Sequence, residues 1–213
     1  MFDFLSNAYK YINDNQLLAG AILGWFIARV GEEVRKPNIK IFIGDEAYLP
    51  VGTQPTHKFL HVKVINSKRN LLSSIFLGNP TANNARAWVS FHDYVTAAEI
   101  FKMNGRWTSK KEPVNYATNN VDLGEALITP REIIPPGEET SISIVVKEKG
   151  NQEIHGFNNE SYLHNWKNPD YELDEKRYRV KIKISSEGKE WIEEFLLLNP
   201  AKSIKTLKLT KAP

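Results

Sequence analysis

The chain has 213 residues, a net charge of +3, 41% apolar and 25% charged side chains, and no cysteine. That length buries one good core with a tail or anchor to spare, and the composition excludes a disordered chain. The missing cysteines exclude disulfides, thiolate metal sites and cysteine nucleophiles, and they permit a reducing compartment.

Leu17–Ala28 (LLAGAILGWFIA) is the one long uncharged apolar run. It falls short of the ~20 residues of a spanning helix. Extension to Val34 adds length at the cost of Arg29, Glu32 and Glu33, of which Arg29 can snorkel to the headgroups. Ahead of the run, Phe2, Leu5, Tyr9 and Ile12 recur at helical spacing, an amphipathic turn suited to the bilayer interface. Residues 1–36 are therefore expected to form an amphipathic and transmembrane helix anchor, making the chain a single-pass membrane protein. A buried soluble helix and a cleaved signal peptide compete with that reading. The latter is disfavoured because Lys10 stands against Asp3 and Asp14, and no A-x-A site follows. Arg29, Arg35, Lys36 and Lys40 follow the run, which places the remainder in the cytoplasm by the positive-inside rule. Gly20, Gly24 and Ala28 form a small-residue stripe on one helix face, a pattern for helix self-association and a homo-oligomer.

Residues 37–200 read as one β domain. Asn38–Gly44 alternates Ile39, Ile41 and Ile43 against Lys40 and Phe42. Lys58–Asn66 puts Leu60, Val62 and Val64 on one face. Ala85–His92 sets Ala87, Val89 and Phe91 against Arg86, Trp88 and Ser90. Ile142, Ile144 and Val146 alternate along Thr140–Lys147, after a turn at Ile133–Glu138 where two prolines cannot sit in a central ladder. Arg177–Ser185 is the clearest strand, with Tyr178, Val180, Ile182 and Ile184 opposite Arg177, Arg179, Lys181 and Lys183. A turn at Ser186–Lys189 joins it to Glu190–Leu198 as a hairpin. Period-two runs with turns between them, and no second long helical pattern, predict an antiparallel β-sandwich.

The order of these segments carries a resemblance: an apolar helix, then KPNIKIFIG, LHVKVINSKR, ARAWVSFHD and the closing RYRVKIKISSEGKEWIEEFLLLNP. It resembles uncharacterised prokaryotic membrane-anchored proteins with an immunoglobulin-like sandwich. The resemblance spans most of the chain through core positions. It implies a mainly β fold, an immunoglobulin-like antiparallel β-sandwich preceded by one N-terminal hydrophobic helix, and it brings no functional residues with it.

Gly150–Lys176 is the longest interruption between strands, and its Phe157, Tyr162, His164, Trp166 and Tyr171 stand among acids. Aromatic side chains beside polar groups in a long loop suit a binding surface for an unknown protein partner. The alternative is that Phe157, Tyr162 and Trp166 plug the end of the sandwich. His155, His164 and Asp170 have spacings that match no compact ligand motif, so neither a metal nor another cofactor is expected. His92 and Asp93 point to opposite faces of a strand and make no dyad, and His57 and His61 read as surface or half-buried strand residues. Asn159, Glu160 and Ser161 form a glycosylation sequon with meaning only outside the cell. No G-x-S-x-G, P-loop, G-x-G-x-x-G or H-E-x-x-H occurs, and the carboxylates are dispersed, so an enzyme is not expected.

Two basic features remain. Lys102, Arg106, Lys110 and Lys111 surround Trp107, and Arg177–Lys183 lines one strand face with cations. Such a face beside an aromatic suits single-stranded nucleic acid. A solvated edge strand is the commoner use of the pattern, so nucleic acid is not the expected partner. Residues 201–213 read as a basic C-terminal tail, because Lys202, Lys205, Lys208 and Lys211 meet no acid there; without these four lysines the chain carries −1. Such a tail reaches an anionic leaflet; a final edge strand over Thr206–Thr210 is the alternative. The expected function is a non-enzymatic, membrane-anchored module for binding or assembly. The alternatives are a structural subunit with its helix in an oligomer or filament core, and a carbohydrate-binding module or hydrolase using the 150–176 loop.

Overall fold

The alternating runs after Pro37 fold as strands in the computed structural model, which is 51% strand and 16% helix. It describes residues 16–34, 36–51, 54–70, 74, 78–115, 118, 120–174 and 176–212. The chain divides into two compact units: Met1–Lys36 with Arg69–Pro80, and Pro37–Lys68 with Thr81–Pro213.

In the first unit, the apolar run lies in α1 (Gln16–Val34). Ile22, Leu23, Trp25, Phe26 and Ile27 are 58–67% exposed along it. Among the described residues no helix is long and apolar enough to cross a membrane; the last turns of α1 hold Arg29, Glu32 and Glu33. The amphipathic turn expected over Phe2–Ile12 lies outside the described residues. In the second segment of this unit, Arg69 donates from its backbone N–H to Asn79 Oδ1 (2.8 Å) and from Nη2 to Lys36 O (2.9 Å).

The second unit opens with β1 (Ile39–Val51) and β2 (Gln54–Asn66), a long antiparallel pair. Their register slips between Ile43 and Glu46, beside Gly44, where a Cβ would meet His61 O at 2.8 Å. This bulge corrects the expectation of one buried isoleucine face. Ile39 and Ile41 are buried, whereas Ile43 lies at the turn of the strand and is exposed.

The chain continues through β3 (Ala82–Asp93), β4 (Glu99–Asn104), β5 (Arg106–Trp107), the small pair β6 (Val114–Asn115) and β7 (Asn120–Val121), and α2 (Leu123–Leu127). Then come β8 (Glu132–Ile134), β9 (Glu139–Glu148), β10 (Ile154–Gly156), β11 (Glu172–Leu173), β12 (Arg177–Ser186), β13 (Lys189–Leu198) and β14 (Lys208–Lys211). One sheet runs β1-β2-β9-β10-β11 with β5 against β9; the other runs β14-β13-β12-β3-β4 with β8 against β3. All these pairs are antiparallel.

One hydrophobic cluster draws on both sheets. Leu60, Val62, Val64 and Ile142 enter it from the first, and Val89, Phe91, Val180, Ile182 and Phe195 from the second. This arrangement is compatible with a β-sandwich. Gly105 is the corner where the chain leaves β4 for β5 in the other sheet. A Cβ there would meet Ala87 Cβ at 2.7 Å and Ile142 Cγ2 at 3.2 Å, so a side chain would wedge the layers apart.

The segment expected as a tail packs into the fold. Ile204, Leu207 and Leu209 are buried, and β14 pairs with β13. Two inward lysines tie it down. Lys58 Nζ donates to Leu207 O (2.7 Å) and pairs with Glu46 (2.8 Å). Lys147 Nζ donates to Ala201 O (2.6 Å) and to Asn199 Oδ1. Both lysines are 1% exposed, and they sit opposite each other across β2 and β9. A buried ammonium must have its protons satisfied, and here the carbonyls of the closing segment satisfy them.

Candidate functional site

The 150–176 segment is built from the residues its sequence singles out. β10 pairs with both β9 and β11. Beyond it, Ser161 Oγ donates within reach of Gly156 O and Asn158 Oδ1, both at 3.1 Å, while Asn158 Oδ1 also accepts from Ser161 N. A short 3-10 helix, Glu160–His164, ends on Asn165 and Trp166, both with positive φ. A left-handed conformation is costly for Trp, and it swings the indole over the sheet. Trp166 meets Phe59 at 5.7 Å and His57 at 5.2 Å between ring centroids, edge to face. Phe157 meets Phe59 at 5.0 Å and Tyr162 at 5.6 Å.

These aromatics form a cap on the outer side of β2. Phe157 is buried, Tyr162, Trp166 and Tyr171 are half-buried, and His164 is exposed. Tyr171 donates to Glu160 Oε2 (2.7 Å), and burial together with that carboxylate pushes its phenol up to about 12. Arg106 lies under the cap, 5% exposed. Its guanidinium donates to Trp107 O and Lys110 O, each at 3.2 Å, and sits 5.7 Å from the Tyr162 ring centroid. Burial holds His57, His61 and His155 below the ordinary imidazole value. His155 lies 3.7 Å from Glu172, while His57, His155, Glu148 and Lys167 line a cleft with room for one water at most. Among the described residues no group of three or more His, Asp or Glu side chains is placed to hold a metal ion.

The remaining sequence candidates are dispersed. Gly20, Gly24 and Ala28 are exposed, and a Cβ at either glycine would meet nothing within 4 Å. Lys202, Lys205, Lys208 and Lys211 are all exposed, but Lys208 and Lys211 fall on opposite faces of β14. His92 and Asp93 diverge. His92 Nδ1 donates to Ala97 O (3.2 Å), and its Nε2 lies 2.9 Å from Ser90 Oγ. Asp93 Oδ1 accepts from Val95 N and Thr96 N in the turn after β3.

Trp107 was the aromatic expected beside a basic cluster, yet it is fully buried in the core. The aromatic that the fold sets among cations is Trp88. Register places Lys183 directly opposite Trp88 across β12 and β3. Lys183 Nζ and Lys102 Nζ stand 5.6 Å and 5.8 Å from the Trp88 ring centroid. Arg177 and Arg179 stand 5.7 Å and 5.9 Å from the Tyr94 ring. A groove of about 210 Å³ lies among Trp88, His92, Lys102, Lys181 and Lys183, with one acid, Glu99, in its lining. The outward position of Trp88 in the β3 alternation was legible. Its neighbours were not, because they depend on which strand pairs with β3 and in what register.

A comparison of the chain with known protein families finds no matching family model, and a comparison with curated protein sequences finds no match.

Proposed function

We propose that this protein is a non-enzymatic attachment and binding module: an immunoglobulin-like β-sandwich on the cytoplasmic side of a membrane, held there by its N-terminal helix. The observation that supports this most directly is the helix surface. Five consecutive-turn apolar side chains, Ile22, Leu23, Trp25, Phe26 and Ile27, stay more than half exposed. So much contiguous apolar surface is costly in water and marks a face that meets lipid or another chain. The aromatic cap of 150–176 is the reading's candidate for a protein-partner surface, with His164 and the exposed edges of Tyr162, Trp166 and Tyr171 as its contact groups.

The second reading is a structural subunit whose helix packs against copies of itself. It is favoured by the open space over Gly20 and Gly24, which would let backbones approach closely.

Flotation with neutral phosphatidylcholine vesicles separates the two. The full chain should float with the vesicles regardless of salt, and a Leu23→Glu/Phe26→Glu variant should remain in the soluble fraction. A large lipid-free assembly that ignores vesicles, and that the same variant dissociates, would replace the membrane reading with the structural one.

A further inference from the structure

The outer face of β4-β3-β12-β13 carries more cations than its carboxylates pair. Inward-facing Val180, Ile182 and Ile184 fix β12 in place, so Arg177, Arg179, Lys181 and Lys183 must all point the other way. Alternate residues on one strand face recur about every 6.6 Å, which makes this a straight row of cations. Lys102 joins the row from β4, level with Ser90 and Lys181. Lys183 pairs with Glu190 at 2.5 Å and Arg179 with Glu194 at 3.5 Å. These are exposed pairs of little net value, open to exchange with a stronger anion. Among the described residues no carboxylate pairs with Lys102, Arg177 or Lys181.

We propose that this face binds single-stranded nucleic acid, with phosphates along β12 and a base lying against Trp88. Three observations favour that occupant over an acidic peptide or an anionic lipid surface. The cation row is linear and repeats at a spacing of the same order as the phosphates of an extended strand. Each of two aromatic rings, Trp88 and Tyr94, has two cations within 6 Å of its centroid, so that stacking and phosphate pairing are offered side by side, as single-strand binding requires. The groove beside Trp88, about 210 Å³, is below the ~300 Å³ at which drug-sized ligand pockets begin, and it suits one planar ring. Carboxylates or lipid headgroups would use the lysines and leave the rings idle. The proposal does not depend on α1 or on the membrane reading.

The test is fluorescence anisotropy of a labelled single-stranded oligonucleotide with the full chain in non-ionic detergent. Binding should weaken with salt, with a slope near −2 for about three neutralised phosphates, and Lys102→Gln/Lys181→Gln should flatten that slope by about 1.4. Trp88→Leu should weaken binding by about tenfold at constant salt slope, and Lys181→Arg should restore what Lys181→Gln loses. Each variant is checked by its thermal melt, since all these side chains face solvent. Absence of binding at low salt overturns the proposal. So does equal binding of dextran sulfate or poly-glutamate with no effect of Trp88→Leu, which would leave a general polyanion surface.

Discussion

Ile182 sits at the centre of β12 with no solvent contact, and Val89 and Glu193 are its cross-strand partners. Truncation to Ala removes most of an aliphatic side chain from a close-packed layer, so Ile182→Ala should cost about 2–5 kcal/mol in urea unfolding. A loss below about 1 kcal/mol would mean that the site collapses around the smaller side chain. The histidines set a second residue-scale expectation. His57, His61 and His155 are held low by burial, so the unfolded chain takes up protons that the folded chain refuses. Their contribution is complete above the ordinary imidazole value of 6.5 and is lost as pH falls through it toward the lower folded values. Glu148 is held below 4.5 by its hydrogen bond from Lys167, so its own contribution fails only in more acidic solution. The urea midpoint should therefore drop between about pH 7.5 and about pH 5.5, and His57→Gln/His155→Gln should flatten that drop. An unchanged midpoint in the parent chain would show that these rings protonate freely within the fold.

Among the elements, the closing segment has the clearest consequence. Ile204, Leu207 and Leu209 bury aliphatic surface, while the carbonyls of Ala201 and Leu207 accept from Lys147 and Lys58. Each buried aliphatic side chain contributes roughly 1.5–3 kcal/mol, and each ammonium group would lose one carbonyl partner, keeping Glu46 at Lys58 and Asn199 at Lys147. A chain ending at Pro200 should therefore lose most of a typical domain's margin of about 5–15 kcal/mol, and with it a cooperative melt by circular dichroism. A dispensable basic tail would leave the melting temperature where it was. In the 150–176 segment, Phe157, Tyr162 and Trp166 fill the outer side of β2, Tyr171 packs on Phe101 at 5.3 Å, and His164 stays in solvent.

For the whole molecule, the division into two units differs from the expected boundaries, since Arg69–Pro80 groups with Met1–Lys36 rather than with the strands. Both sheets and the shared cluster belong to residues 37–68 and 81–213. Removal of residues 1–36 should abolish vesicle flotation and leave a single cooperative melt. Loss of the melt would assign the helix to the folding core and overturn the anchor reading. The two sheets also differ in their outer faces: the aromatic cap covers His57 and Phe59 on the first, and the second carries the cation row.

The sequence by itself determined the strands whose side chains alternate strictly, because period-two burial is a local property of extended backbone. Val180, Ile182 and Phe195 were legible as core in that way, as were the turn between β12 and β13 and the apolar run of α1. The short strands β5, β8, β10 and β11 were not, since two or three residues hold no pattern and form only when a longer neighbour offers its edge. Nor was the bulge at Gly44, which is set by the approach of His61 O. Only tertiary structure could exchange Trp107 for Trp88. Alternation says that each residue of a strand faces one of two sides, but which side is covered, and which cations lie across it, depends on strand order and register, and these join residues far apart in the chain.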